Sequence, residues 1–430
     1  VRRAAIISGL VALAIALAGC GSDQATAPDP ECAERAGNCV TIGIGEPIPI
    51  GTLLFMADAS GTDTRNTVSL ALDYLDGRFD AREGEVLGHP VKVIDEVEDC
   101  TPAGGRAGAR RLLAESGNMV AVIGTTCSSA AFRAAATVLS QRRVLMVSPT
   151  NTSPLLAQPA GRERYYFRTA FNDLIQAAAV ADFARQRLRA RSAATLAIDD
   201  PYSAVLADSF ANAFRAKGGG SLTRQVVPSA SGMAAAARRI AASPPDVIFL
   251  PLFQPACGTA LRAVRSQPAL RDTPVVVSES CLVRSVAQGG VDRNVYASAP
   301  DTSGIERNSF YRTEFLPAYR KRFSEPPGGV FTAQAFDAIN LVISAVRRVA
   351  VPLPGGALRI NRADLREAML DVDGYEGVSG TLSCGATGDC VPSARIAVYR
   401  APDWPLGGTR ATPVFSATQS LAEVTGRAGG

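Results

Sequence analysis

The feature that most constrains this chain is a pattern repeated along most of its length: a short β-branched run, a turn, then an amphipathic stretch. The runs are Val40–Ile44, Val91–Ile94, Val120–Ile123, Val144–Val147, Thr195–Ile198, Val247–Leu250, Val275–Val277 and Val295–Ala297. They are almost continuously apolar, as parallel strands covered on both faces must be. Between and after them the spacing predicts helices over Arg65–Leu75, Ala103–Glu115, Ser129–Ser140, Leu174–Leu188, Ser203–Ala216 and Ala256–Arg265. Later helices are expected at Arg307–Phe323, Thr332–Val349 and Arg362–Leu370. Such alternation gives an α/β, doubly wound architecture with right-handed crossovers, whose ligands sit beyond the carboxyl ends of the strands. A chain of 430 residues, 47% hydrophobic, has length and core material for two similar halves.

Composition removes several kinds of chemistry. The formal charge is +4, and without Arg2 and Arg3 the side chains sum to about +2, which is no nucleic-acid footprint. There is one histidine, His89, so histidine triads and multi-histidine metal sites are hard to build. No nucleophile motif accompanies it, so no enzyme activity, cofactor or metal is expected.

Residues 1–19 read as an export signal: Arg2 and Arg3 are its positive start, and Ala4–Ala16 an apolar core too short to remain as a spanning helix. Leu17-Ala18-Gly19-Cys20 looks like a bacterial lipobox, which makes Cys20 the lipidated residue. An ordinary secretory signal that happens to contain a cysteine is the alternative. Residues 20–39 would be a lipidated tether, rich at its start in Gly, Ser, Asp, Thr and Pro, with nothing to bury. The expected location is therefore periplasmic or cell-surface, anchored to the membrane through Cys20. Of the nine cysteines, eight remain after Cys20, an even set that favours disulfides in an oxidising compartment. Neighbours in sequence suggest Cys32–Cys39, Cys100–Cys127, Cys257–Cys281 and Cys384–Cys390, one of on the order of a hundred possible sets.

Several motifs then occur in order. Glu98-Asp99-Cys100, Val122-Ile123-Gly124-Thr125-Thr126-Cys127-Ser128-Ser129 and Val147-Ser148-Pro149-Thr150-Asn151-Thr152 come first. Tyr166-Phe167-Arg168-Thr169 with Asp173 and Gln176, Ala335-Phe336-Asp337-Ala338, and Gly377-Val378-Ser379-Gly380-Thr381-Leu382 with Gly388-Asp389 follow. Together they resemble the leucine/isoleucine/valine-binding proteins, the type I periplasmic solute-binding proteins of branched-chain amino acid ABC transporters, from about residue 40 to 400. The resemblance implies two Rossmann-like lobes joined by three hinge crossings, closing on a small solute, and it supports the Cys100–Cys127 bond.

It also implies site residues. Ser128 matches the family's carboxylate-binding serine, at a place where a strand yields to a helix and backbone N–H groups favour an anion. On the residues alone, Ser128 or Ser129 reads first as a helix cap, and the resemblance is what favours ligand binding. Thr150 and Thr152 match positions that touch both charged groups of an amino acid; their other reading is a turn after Pro149. Glu279, just past the run Val275–Val277, matches the family's ammonium-binding glutamate, a charge-assisted contact; its other reading is a loop carboxylate. Tyr202 matches a second-lobe aromatic near the ligand, and otherwise packs a helix start. Phe253 and Gln254 fall where the family places an aromatic pair. The family's glycine-bearing loop after its first strand is replaced here by Glu46-Pro47-Ile48-Pro49-Ile50-Gly51, and Pro251-Leu252 replaces small residues, so the expected ligand is an amino acid or related small polar solute.

The expected lobes are 40–168 with 299–377, and 169–298 with 378–400. Crossings are placed near Arg168–Ala170, Ala297–Pro300 and Gly377–Thr381, and 401–430 forms a loosely attached tail. The expected partners are the small-molecule ligand, ABC permease subunits, and the membrane through the anchor, with no nucleic acid. A sensor of the same fold that feeds no transporter is the alternative. Replacing Cys20 by Ala should abolish metabolic lipid labelling and leave the precursor unprocessed, as read by radiolabelled fatty acid and gel mobility.

Overall fold

The computed structural model describes residues 32, 37–82, 84–282, 286, 294–401, 404 and 411–428. The signal segment, Cys20 and most of the tether lie outside them.

Two parallel sheets carry the molecule. In the first, β2 (Ile48–Leu54) is central, flanked by β3 (His89–Val97) and β4 (Ala121–Gly124), followed by β5 (Leu145–Ser148) and β6 (Tyr166–Arg168). In the second, β7 (Ala193–Ile198) lies between β8 (Leu222–Val227) and β9 (Val247–Leu250), followed by β10 (Val275–Val277) and β11 (Val295–Pro300). Each sheet therefore runs 2-1-3-4-5, and each has its topological switch point beside its own first strand, where a crevice opens beyond the carboxyl ends. The central strands are buried throughout, which explains their unbroken apolar sequence.

The helices cover both faces. In the first lobe α1 (Ala59–Asp73), α2 (Pro102–Glu115), α8 (Thr332–Val349) and α9 (Arg362–Leu370) enclose cores around Ile50, Ile123 and Val342, and around Leu112 and Met146. In the second lobe α4 (Asp173–Gln186), α5 (Ser203–Ala216), α6 (Met233–Ala241) and α7 (Ala256–Arg265) do the same around Ile248 and Leu196, and around Phe210 and Phe249. The helix expected over Ser129–Ser140 is broken. Phe132–Ala134 leave helical geometry, so that the regular helix α3 is only Ala136–Gln141, and Arg133 reaches the carbonyl of Ala160 at 3.1 Å.

Four expectations change. Val40–Ile44 does not start the first sheet: β1 (Cys39–Ile42) pairs antiparallel with β12 (Leu358–Asn361) in a small separate sheet, so residue 39 belongs to the fold and not to a tether. The first parallel strand is β2, within the stretch that the resemblance set in the place of a loop, although Pro49 and Gly51 are residues central strands rarely hold. Pro49 is tolerated because pairing with β4 begins only at Ile50, and Gly51 because a Cβ there would lie 3.1 Å from Leu112 on α2. The third crossing is not at Gly377–Thr381. Asp337 on α8 accepts the N–H groups of Val378 and Ser379 at 2.8 and 2.7 Å, holding that loop to the first lobe. Leu382, Cys384 and Cys390 also lie in the first-lobe core. The chain crosses after Cys390, whose N–H meets the Arg168 carbonyl at 3.1 Å, and enters β13 (Ser393–Arg400) beside β11.

Finally, 401–430 is not all a loose tail. β14 (Phe415–Ser420) pairs antiparallel along β13, and α10 (Leu421–Ala428) packs on α4, with Val424 buried in the second-lobe core. Alternating, partly buried residues of a strand that edges a sheet carry little apolar signal, so the segment reads as polar. The structure joins all four expected cysteine pairs, with Cα–Cα separations of 5.4, 5.1, 5.8 and 3.7 Å in chain order. Among the described residues no helix is long and apolar enough to cross a membrane.

Truncation after residue 401 would turn β13 into an open edge and uncover the core beneath Val424. Burial of one such side chain contributes about 1.5–3 kcal/mol, so the truncated chain should lose at least about 2 kcal/mol in urea unfolding.

Candidate functional site

The switch points of the two sheets face each other. In the first lobe, β4 ends at Gly124, whose φ is +138° and where a Cβ would lie 2.3 Å from the Leu53 carbonyl oxygen; only glycine lets the strand end this close to β2. The chain then passes through Thr125–Cys127 to the short helical turn Ser128–Ala130. The loop after β2 joins the same crest, since the Phe55 N–H donates to Thr126 Oγ1 at 2.9 Å. Phe55–Asp58, ending in the Asp58 cap of α1, therefore holds the place given to Glu46–Gly51 from the sequence.

One strand further along each sheet come the other candidates. After β5, Thr150 Oγ1 donates to the Thr126 carbonyl at 2.9 Å. The Asn151 amide donates to the Thr125 and Thr126 carbonyls at 2.9 and 3.1 Å. These bonds fix the loop that bears Thr152 while leaving the Thr150 hydroxyl oxygen able only to accept. Ser128, Thr150 and Thr152 are all buried. Ser128 Oγ accepts the Ser153 N–H at 3.3 Å, which ties the two ligand loops together.

The opposing wall is built in the same way. Tyr202 follows β7 and opens α5, Phe253 follows β9, and Glu279 follows β10. Tyr202 packs against Phe253 with tilted rings whose centroids are 4.3 Å apart, and its hydroxyl donates to Glu279 Oε1 at 2.9 Å. Burial, with Glu279 and Asp173 nearby, drives the Tyr202 phenol far above its ordinary pKa, so it remains a neutral donor. Ser280 Oγ donates to Glu279 Oε1 at 3.1 Å and Gln176 Nε2 to Oε2 at 2.6 Å. Burial raises the Glu279 pKa while these donors hold it down. The lobes meet where Ser153 Oγ donates to the Pro201 carbonyl at 2.5 Å, so the cleft is closed. Of the seven candidates, six are thus brought to the two facing walls. Gln254 is half-buried, and its Nε2 has no partner among the described residues.

Two residues entered the sequence reading only as part of a crossing motif. Asp173 and Gln176 lie one helical turn apart at the start of α4 and are fully buried on the cleft side, Gln176 holding Glu279. Their spacing of three after an Asn cap is the signal that could have singled them out. His89 is not part of the site: its ring nitrogens face the Glu46 and Gly356 carbonyls at 2.8 and 2.9 Å, on the far side of the first sheet.

Behind Ser128, Glu98 accepts the N–H groups of Cys127, at 3.0 Å, and of Cys100. An internal carboxylate thus already occupies the first amide of the crest, and any ligand anion must use Ser128, Ser129 and the loop after β5. Burial pushes the Glu98 pKa up to about 7.

The sequence matches the profile of the periplasmic binding protein family over residues 47–403. This chain belongs to that family, a class of extracytoplasmic solute-binding proteins. No curated protein sequence matches it. Among solved structures it is similar to the branched-chain amino acid transporter substrate-binding protein LivJ of Streptococcus pneumoniae, in complex with isoleucine. The TM-score is 0.67 at 20% identity, over 87% of this chain and 99% of that one. The leucine-binding protein LivK of Thermotoga maritima gives 0.69 at 20% identity, over 87% and 99%. A Rhodopseudomonas palustris solute-binding protein in complex with benzoate gives 0.67 at 15% identity, over 87% and 97%.

The Glu98 pKa bears on stability. A carboxyl whose folded pKa lies above its unfolded value favours the fold at low pH, and that contribution is lost as pH rises through the folded value. Thermal stability should therefore fall between about pH 4.5 and 7, by at most about 1.4 kcal/mol per pH unit from this group. Glu98→Gln should remove that part of the slope in melting curves taken across the range.

Proposed function

We propose that this chain is the substrate-binding component of an ABC importer, held at the membrane by lipid on Cys20, and that it binds an amino acid or related small polar solute between its lobes. The observation that carries this is the pairing of unlike walls. Donor groups at Ser128 and Thr152, with the Thr150 hydroxyl oxygen as an acceptor between them, face a buried carboxylate, Glu279, in a closed cleft. A zwitterion needs that pairing, with anion donors on one side and an anion on the other. Tyr202 and Phe253 would supply the apolar wall for the solute's body. The relatives whose structures contain isoleucine or benzoate support a small carboxylate-bearing ligand. The role is binding and delivery rather than turnover, and the closed form is what a permease would recognise.

Ligand screening by thermal shift tests this reading. A solute that binds only the folded protein adds about 2.7 kcal/mol at a hundredfold excess over its dissociation constant. Glu279→Gln keeps the shape and removes the charge, so a zwitterion should bind at least about tenfold more weakly, from the 1.5–3 kcal/mol of a hydrogen bond to a charged group. Ser128→Ala should weaken binding less, because backbone donors at Ser128 and Ser129 remain. Calorimetry on both variants gives the answer, and unchanged affinity in the Glu279 variant would sink the proposal.

A further inference from the structure

The second-lobe wall is made by two neighbouring strand ends, and little holds their loops together past the sheet. β9 and β10 pair up to Leu250 and Val277, and the Ser278 N–H, meeting the Leu250 carbonyl at 3.3 Å, makes the last main-chain bond of that ladder. β9 continues into Pro251-Leu252-Phe253-Gln254-Pro255, where neither proline has an N–H to donate. β10 runs into the single turn Glu279–Cys281. Among the described residues one hydroxyl bond joins these loops, from Ser278 Oγ to the Leu252 carbonyl at 3.3 Å. The first lobe meets the same need with a lattice of shorter bonds, since Thr150 and Asn151 hold the carbonyls of Thr125 and Thr126.

A covalent bond supplies what the second wall lacks. Cys257 lies one turn beyond Phe253, its N–H on the Phe253 carbonyl at 3.1 Å. Cys281 shares a turn with Glu279, its N–H on the Ser278 carbonyl at 3.0 Å. The two cysteines are bonded with Cα atoms 5.8 Å apart, and both are fully buried. Tyr202 touches both loops, packing on Phe253 and donating to Glu279. Phe253, Tyr202 and Glu279 thus form a triangle, and the disulfide fixes its third side, between Phe253 and Glu279. The bond is no copy of Cys100–Cys127, which joins the ends of β3 and β4, the two strands that flank β2. Its counterpart in the second sheet would join β8 and β9, which flank β7.

We propose that the Cys257–Cys281 bond is a positioning element of the ligand site, setting the Glu279 carboxylate relative to the Phe253 ring before any solute enters. The inference rests on the solute-binding reading and adds residues that shape the site without touching its ligand. A disulfide that only restrained the unfolded chain would add stability wherever it sat, and its loss would leave the cleft unchanged. A wall assembled in advance leaves the ligand no ordering to impose. Loss of the bond therefore reaches the affinity, and reaches it through Glu279.

Calorimetry with the twenty standard L-amino acids identifies the one that the wild type binds most tightly, and that amino acid is the probe. Cys257→Ala with Cys281→Ala should bind it about tenfold more weakly, as expected for leaving two side chains to be ordered by the ligand. Glu279→Gln should then weaken binding less in the bond-free background than in the wild type, a coupling on the order of fivefold. Hydrogen exchange of the ligand-free pair variant should quicken over 251–257 and 278–282 and little elsewhere. Unchanged affinity, an equal Glu279→Gln effect in both backgrounds, or exchange that quickens evenly over the lobe would make the bond an ordinary staple and overturn the inference. If the pair variant does not fold, the wild type decides. Its Cys281 and Leu282 amides should be protected without ligand, and exchange as fast as in an unfolded peptide would overturn the inference. If no amino acid binds, the parent reading fails, and the exchange pattern alone decides the positioning role.

Discussion

The fold of this protein turns on a fully buried ion pair, Arg168 with Asp389, whose Nε and Oδ1 lie 2.5 Å apart. Taking two charges out of water is costly, and attraction alone rarely repays it. Here the guanidinium has further work, because Nη1 also binds the carbonyls of Asn151 and Ser153, the loop that bears Thr152. Arg168 ends the strand of the first crossing and Asp389 precedes the third. The pair thus fastens two interlobe connections and one ligand loop to a single point. An arginine suits this because its rigid fork can serve three partners without being deprotonated. Removing one partner would leave the other charged and buried, at a cost of about 3–5 kcal/mol.

The same economy shapes the cleft. Both sheets have the same strand order, so corresponding strand ends deliver loops to corresponding places. The loop after β5 meets the turn after β7, where Ser153 bonds the Pro201 carbonyl. What differs is the chemistry placed on that frame: hydroxyls and amides on one lobe, aromatic rings and a carboxylate on the other. The fold defines where a ligand must sit, and the residues at five strand ends define which ligand it can be.

Much of this was legible in the chain. The buried strands announced themselves by their apolar runs, and α5, α7, α8 and α9 have the bounds that periodicity gave them. The strand-end positions of Ser128 and Glu279 followed from the same pattern. Three things were not legible, each for a physical reason. β2 carries a proline and a glycine that local rules assign to loops, and only the paired neighbour and the close helix make them acceptable. The third crossing depends on Asp337 capturing a loop some forty residues away, a contact with no local signature. β14 is a partly exposed edge strand, whose pattern resembles polar linker. Asp173 was visible as part of a motif, but its full burial is a property of the packed hinge.

The hydrogen bond from Ser153 to the Pro201 carbonyl involves no ligand atom. Its donor belongs to one lobe and its acceptor to the other, so it exists only when they meet. A neutral bond of this kind has a net worth of roughly 1 kcal/mol, which multiplies the closed-to-open ratio of the empty protein about fivefold. A receptor tuned this way keeps part of its population already shut. That raises apparent affinity by lessening the conformational work left to the solute, but it also slows entry, since a closed cleft admits nothing. The strength of one latch between neutral groups therefore sets a compromise between how tightly the receptor holds its cargo and how quickly it can be loaded.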